Sequence, residues 1–160
     1  MLLNGAMSVG GANALTLDGE VSGNGSLVKT GASSLTLNGV NSYSGGTRLS
    51  GGQLILGNNA ALGSGALSVD GAAQLGAHSA LQLANAITLG AQLTLLGSQD
   101  LTLSGALSGT GSLVKSGNGA LLLTGTNTYG GGTVLNGGST TWLASTRRKT
   151  LPLGKRSPSA

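Results

Sequence analysis

The chain has 160 residues, of which 31 are glycine and none is cysteine or phenylalanine, and only 8% are charged. With 39% hydrophobic residues it does not have the low hydrophobicity and high charge of a disordered protein, and without cysteine it has no thiol nucleophile. Five of its eight basic residues lie in the last fourteen positions, so the body has no basic face for a nucleic acid.

Short apolar–polar–apolar triplets recur along the chain, and this period-two pattern predicts β-strands of three to five residues. Glycine, asparagine and serine interrupt the pattern every few residues, which disfavours helices. The predicted strands, in chain order, are residues 15–17, 35–37, 54–56, 67–69, 81–83, 87–89, 93–95, 101–103 and 121–123.

Strands of this length cannot bury an apolar face alone, but they can do so when the chain winds into stacked coils. We therefore predict an all-β fold, a right-handed parallel β-helix (β-solenoid) of about six short coils over residues 1–138. Glycine supplies the corners between strands. An antiparallel β-sandwich is the alternative architecture.

An internal repeat spans residues 15–52 and 101–138, which align without a gap at an offset of 86 positions with 23 of 38 residues identical. We expect its lysines to lie at corners and point to solvent, and its asparagines and threonines to form ladders outside the coils or at corners. We interpret its tyrosines as corner-packing residues, with ligand stacking as the alternative. These equivalent pairs are Lys29 and Lys115, Asn41 and Asn127, Thr47 and Thr133, and Tyr43 and Tyr129.

Both copies share the pattern Gly-x-Gly-x-Leu-x-Lys-x-Gly, Leu-x-Leu, then Gly-x-Asn-x-Tyr-x-Gly-Gly-Thr. This pattern, in residues 23–56 and 109–138, closely resembles the autotransporter-associated (passenger-associated) β-strand repeat, with degenerate coils between the copies. The resemblance implies a fragment of a bacterial type V secretion passenger, displayed at the cell surface or outer membrane, or secreted. It also implies an outer-membrane translocator barrel as partner, and a repeat that assists folding and transport without being catalytic.

The last segment, residues 139–160, differs from the body because leucine alternation stops and both prolines and most of the charge appear there. We predict a basic, disordered tail that is frameshifted or otherwise foreign to the repeat region; a membrane-binding tail is the alternative. The N-terminus lacks the basic and long apolar regions of a signal peptide, and no apolar run approaches the length of a membrane helix.

The sequence suggests no catalytic, cofactor-binding or metal site, and hence no cofactor. Asp18 and Glu20 are close enough to act as paired carboxylates, but the second copy has Ser104 and Ala106 there. His78 is the only histidine, which excludes histidine clusters. Three further patterns are incomplete or common by chance: a calcium nonapeptide at 10–18, a phosphate loop at 130–133 and a glycosylation sequon at 24–26.

We therefore predict a non-enzymatic structural segment of an autotransporter passenger, acting as stalk and as folding and secretion aid. The alternative is an adhesin-type surface module that binds host or matrix glycans. A carbohydrate-active β-helix enzyme is weaker, because such enzymes gather carboxylates on one face and the four acidic residues here are scattered. No nucleic acid or small-molecule substrate is expected.

Overall fold

A computed structural model describes residues 1–144, 147–151 and 156–157. These residues form 21 strands and no helix. No helix of the described residues could therefore cross a membrane. The strands are β1 Leu2–Leu3, β2 Met7–Val9, β3 Leu15–Leu17, β4 Ser22–Gly23, β5 Leu27–Lys29, β6 Ser34–Leu37, β7 Thr47–Leu49, β8 Gln53–Leu56, β9 Leu67–Val69, β10 Ala73–Ala77, β11 Leu81–Leu83, β12 Ile87–Leu89, β13 Leu93–Leu95, β14 Leu101–Leu103, β15 Leu107–Gly109, β16 Leu113–Lys115, β17 Ala120–Leu123, β18 Thr133–Leu135, β19 Ser139–Ala144, β20 Arg147–Leu151 and β21 Arg156–Ser157.

The strands stack into a three-sided parallel β-solenoid, which confirms the predicted fold class. Face 1 consists of β2, β5, β7, β9, β12 and β15, and face 2 of β3, β6, β8, β10, β13, β16 and β18. Face 3 begins with β1 and β4 and resumes with β11, β14, β17 and β19. All of these pairings are parallel.

One coil takes 20 residues, as the pairing of Met7 with Leu27 and of Leu27 with Thr47 shows. With a coil of this length, the chain makes seven parallel rungs on face 2, where we expected about six coils. Each inward side chain consequently lies directly above its counterpart one coil earlier. On face 2 the column Leu15, Leu35, Leu54, Leu75 and Leu95 runs through five coils.

The core is a narrow stack of aliphatic columns, in which most inward leucines are fully buried. The outward residue between two inward ones is partly or fully exposed in most strands, as the alternation of β7, β11 and β12 shows. Burial of a leucine side chain contributes about 1.5–3 kcal/mol. The short strands are therefore stable only because neighbouring coils cover them.

The solenoid continues beyond Gly138, where we had placed the start of a disordered tail. Ser139 to Trp142 pair in parallel with residues of β17, and the Thr140 side chain is buried. A strand forms here because Thr140 takes the inward position next to Leu121. After it, β20 pairs antiparallel with β19, and β21 pairs antiparallel with β18. The rest of the predicted tail, at residues 145–146, 152–155 and 158–160, lies outside the described residues.

Replacing Gly46 by alanine should destabilise the coil. Gly46 has a φ of 82°, and a Cβ there would lie 2.7 Å from the carbonyl oxygen of Ala66 in the next coil. We expect the free energy of unfolding, measured by urea denaturation, to fall by about 1–3 kcal/mol. The control is Gly5→Ala, where no atom lies within 4 Å and the effect should be neutral to slightly stabilising. Equal effects of the two substitutions would contradict the corner geometry.

Candidate functional site: the repeat corners

The two repeat lysines point into the core, so the prediction that they face solvent was wrong. Lys29 is 0% exposed and lies in the inward column of face 1 between Val9 and Leu49. Lys115 is 3% exposed and lies between Leu95 and Leu135 in the inward column of face 2. In both strands the alternation runs buried, half-buried, buried, so that leucine and lysine share the inner side.

Backbone carbonyls at the corner accept the hydrogen bonds of these ammonium groups. Lys29 Nζ donates to the carbonyl oxygens of Thr30 at 2.6 Å and Gly31 at 3.1 Å, and Lys115 Nζ donates to that of Gly117 at 2.6 Å. The aliphatic stem therefore fills a core position while the charge reaches the end of the strand. A Cβ at Gly52, in the next coil, would lie 2.8 Å from Lys29 Nζ, so glycine leaves room for the ammonium.

Burial lowers the pKa of both lysines from the ordinary value of 10.5. For Lys115 the negative charge of Asp100 partly opposes this effect on the pKa. Among the described residues, Lys29 has no acidic partner. Its ammonium group is stabilised only by carbonyl dipoles, and these offset the loss of hydration incompletely.

Each repeat also buries a tyrosine that is hydrogen bonded to a threonine four residues later. Tyr43 Oη lies 2.6 Å from Thr47 Oγ1, and Tyr129 Oη lies 2.5 Å from Thr133 Oγ1. Both rings are almost completely buried, so neither is available to stack on a ligand. Burial raises the pKa of Tyr43, and its hydrogen bond to Thr47 opposes that rise.

The threonines lie at inward strand positions, whereas we expected ladders outside the coils or at corners. Thr47 occupies an inward position between Leu27 and Leu67, and Thr133 occupies the inward position next to Leu113. A hydroxyl at a leucine position is tolerated because the tyrosine hydroxyl satisfies it. The sequence signal that could have revealed this pair is the four-residue spacing of Tyr and Thr, repeated in both copies.

Asn41 joins three consecutive coils. Its Oδ1 accepts a hydrogen bond from the backbone N–H of Val21 at 2.8 Å, and its Nδ2 donates to the carbonyl oxygen of Ala61 at 2.6 Å. The side chain is buried, so it lies at an inner corner where we had expected a corner or an outer ladder. The equivalent Asn127 differs, since its buried Oδ1 has no hydrogen-bond partner among the described residues.

The segment from the repeat asparagine to the glycine pair interrupts the sheet on whichever face it occupies. In copy one, residues 41–46 fall on face 3, in the gap between β4 and β11. In copy two, residues 127–132 fall on face 1, which ends at β15 except for an isolated bridge between Leu107 and Asn127. On face 3 an asparagine side chain bridges the gap, since the N–H of Gln82 donates to Asn59 Oδ1.

The two copies consequently lie on different faces. Their 86-residue offset amounts to four coils of 20 residues and six residues more, which is about one face. The Lys29 strand β5 belongs to face 1, and the Lys115 strand β16 belongs to face 2. The internal contacts are nevertheless similar, and four pairs of equivalent glycines have positive φ: Gly23 and Gly109, Gly31 and Gly117, Gly46 and Gly132, and Gly52 and Gly138.

A groove of about 610 Å³ lies on the outside of face 1 beside copy one. Ser26, Arg48, Ser68 and Asp70 contribute its polar lining, and Arg48 Nε forms an ion pair with Asp70. In copy two the position of Arg48 is taken by Val134, so the polar lining is not repeated.

The other sequence-selected residues do not come together as a site. Asp18 Oδ1 accepts a hydrogen bond from Asn38, and Glu20 Oε1 accepts one from Ser42, so each carboxylate has its own neutral partner in the next coil. Within the described part of the chain, no three histidine, cysteine or acidic side chains lie close enough to hold a metal ion. Residues 10–14 form the corner before β3 and residues 130–132 the corner before β18, and Asn24 is an exposed corner residue.

Removing one hydroxyl of the tyrosine–threonine pair should lower the free energy of unfolding more than removing both. We expect Thr47→Val to lower the free energy of unfolding by about 1–3 kcal/mol, because the Tyr43 hydroxyl would be buried without a partner. The double variant Tyr43→Phe/Thr47→Val should recover part of this loss. Urea denaturation of the four proteins of the cycle gives the coupling energy. Additive effects of the two single substitutions would show that the hydroxyls do not interact.

The buried lysines should make stability rise with pH. A group whose native pKa is lowered releases its proton in the native state first, so the unfolded state binds more protons and stability rises until the pH reaches about 10.5. Tyr43, with a raised pKa, acts oppositely above pH 10 and is best replaced by phenylalanine.

In this Tyr43→Phe background, we expect Lys29→Met to reduce the pH dependence of the urea midpoint and Lys29→Met/Lys115→Met to reduce it further. The matched control Arg48→Met removes an exposed cation and should leave the slope unchanged. If the urea midpoint still rises equally steeply with pH after both lysines are replaced, the pH dependence does not come from Lys29 and Lys115.

Comparison with protein families identifies the repeat. The family described as the passenger-associated-transport-repeat matches residues 27–60 and 113–140, which confirms the resemblance seen in the sequence. Searches of curated proteins and of solved structures found no match. The matched stretches contain the lysine corners and the tyrosine–threonine pairs described above. The chain is thus a parallel β-solenoid in which two stretches match the passenger-associated-transport-repeat, and this combination fits a structural segment of an autotransporter passenger.

Proposed function

We propose that this chain is a stalk segment of an autotransporter passenger and that its two repeats act as internal locks that assist folding during secretion. The observation that carries this proposal is that the polar contacts shared by the two copies lie inside the solenoid. The lysine–carbonyl and tyrosine–threonine contacts lie inside and recur in both copies. The outward positions are less alike, since Thr16 and Val28 recur as Thr102 and Val114 but Arg48 is replaced by Val134 and Thr36 by Leu122. The repeat and the solenoid also indicate a non-enzymatic element.

The position of the copies on different faces supports the same conclusion. A ligand-binding stripe requires repeated residues aligned on one side of the solenoid, and the equivalent strands β5 and β16 lie on faces 1 and 2. An internal lock has no such requirement, because every face borders the same core.

The locks would act by fixing the register between coils. Leucine columns are alike in every coil, so slippage by one coil costs little apolar contact. A slipped coil would separate Asn41 from the N–H of Val21 and the carbonyl oxygen of Ala61, which lie in the coils before and after it, and would leave buried polar groups without partners at about 1–3 kcal/mol each. Buried polar groups that specify register are well documented in other folds.

Surface display tests the proposal. The chain is placed between a signal sequence and an outer-membrane translocator barrel, and surface exposure is measured by protease accessibility on intact cells. We expect Thr47→Val/Thr133→Val to reduce exposure, because both locks lose a hydrogen bond. The outward substitutions Thr88→Val/Thr94→Val serve as the control and should leave exposure unchanged. Unchanged exposure of the lock variant, at equal expression, would refute the proposed role.

The groove beside Arg48 supports a second candidate, an adhesin-type module that binds glycan or matrix. The isolated 160-residue chain would then bind an immobilised glycan or matrix panel, and Arg48→Ala would remove the signal. Binding that persists in Arg48→Ala, or no binding at all, would exclude this groove as the adhesive site.

A further inference from the structure

We propose that the groove on the outside of face 1 binds a neutral, extended polysaccharide. This inference rests on the second candidate function, because it names the class of ligand for the same groove. Three features of the groove lead to it: the direction in which its residues line up, its net charge, and the mixture of hydrogen-bond donors and acceptors that it presents.

The groove follows the axis of the solenoid. One row of its lining consists of Ser26, Gly46 and Ala66, the corner residues that immediately precede β5, β7 and β9. These strands pair in register, so the three residues lie one above another at a spacing of about 4.8 Å. This spacing is close to the length of one sugar ring in an extended chain. Consecutive rings of a polysaccharide can therefore follow consecutive coils.

The groove carries no net charge. Among the described residues that line it, only Arg48 and Asp70 are charged, and they form an ion pair. An acidic glycan would bring its carboxylate or sulfate groups close to Asp70 as well as to Arg48, so repulsion offsets attraction. A nucleic acid requires several cations along its backbone, whereas this groove offers a single one that already has a partner. A neutral ligand meets neither penalty.

The ion pair can serve both hydroxyls of a sugar diol. Arg48 contacts Asp70 through Nε, which leaves the terminal amino groups of its guanidinium as donors, and 63% of its side chain is exposed. Asp70 Oδ1 accepts a hydrogen bond from Ser68 Oγ at 2.9 Å, and the two carboxylate oxygens can accept further bonds. One sugar hydroxyl can thus accept from Arg48 while its neighbour donates to Asp70. Ser26 and Ser44 add hydroxyls that both donate and accept.

A peptide fits this groove less well. Extended peptides commonly bind a sheet by adding a strand to an open edge. The strands beside the groove have no such edge, because β7 pairs with β5 on one side and with β9 on the other. The groove therefore offers hydroxyls and an ion pair but no free backbone ladder, which favours a polyhydroxylated ligand.

The test is a titration of the folded 160-residue chain, labelled with nitrogen-15, followed by NMR. The two probes are a tetrasaccharide of β-1,4-linked glucose and the matched tetrasaccharide of glucuronate, which has a carboxylate in place of each primary hydroxyl. We expect the glucose probe to shift the amide resonances of Ser26, Gly45 and Ser68 saturably. It should bind at least about threefold more tightly than the glucuronate probe, as the repulsion by an exposed carboxylate allows.

Three variants identify the groups involved. Arg48→Ala should weaken binding of the glucose probe about tenfold, the contribution of one hydrogen bond to a charged group. Asp70→Asn leaves Arg48 without its counter-charge and should reverse the preference, so that the glucuronate probe binds more tightly. The control is Gln82→Ala, which removes an exposed outward side chain on face 3 and should change neither affinity.

Tighter binding of the glucuronate probe by the unmodified chain would overturn the neutral class of ligand while leaving the groove as an adhesive site. No shift with either probe, or shifts confined to residues outside the groove, would also overturn the inference. In that case the glycan and matrix panel with Arg48→Ala decides the second candidate separately, and the surface-display assay decides the stalk role.

Discussion

The constraint on which the structure depends is the 20-residue coil. Because strand partners are 19 to 21 positions apart, and 20 in most pairs, inward side chains lie on inward side chains, and the core becomes a set of columns. This geometry explains why the core tolerates so little variation in size, with leucine in most positions and aromatic side chains in few. It also places each inward residue that is not aliphatic in a column, where its neighbours one coil above and one coil below are fixed.

The two repeats contain such residues. Each introduces an ammonium group, a tyrosine and a threonine into an aliphatic core, and each satisfies them within its own sequence. Local satisfaction makes the repeat independent of the face on which it falls, so the same motif forms on faces 1 and 2. The cost is an interrupted ladder, because the segment that carries the tyrosine does not form a strand. In each repeat, hydrogen bonds within one coil therefore take the place of sheet pairing along the tyrosine segment.

The two copies of the motif differ in how completely the hydrogen-bonding groups of their asparagine are paired. Asn41 lies in the middle of the solenoid and hydrogen bonds to the coil before and the coil after it. Asn127 does not reproduce this contact, because the N–H of Leu107, at the position equivalent to Val21, donates to the carbonyl oxygen of Thr126, and Asn127 Oδ1 has no partner among the described residues.

The sequence by itself determined the strands and the architecture, since all nine predicted triplets are strands and the repeat identified the solenoid. It did so because period-two alternation and glycine corners are local properties of the chain. The tertiary structure alone decided that Lys29 points inward, that Thr47 replaces a core leucine and that the solenoid continues beyond Gly138. These outcomes depend on carbonyls, hydroxyls and strand edges that come together only when coils stack, and alternation cannot tell which side of a strand will find such partners.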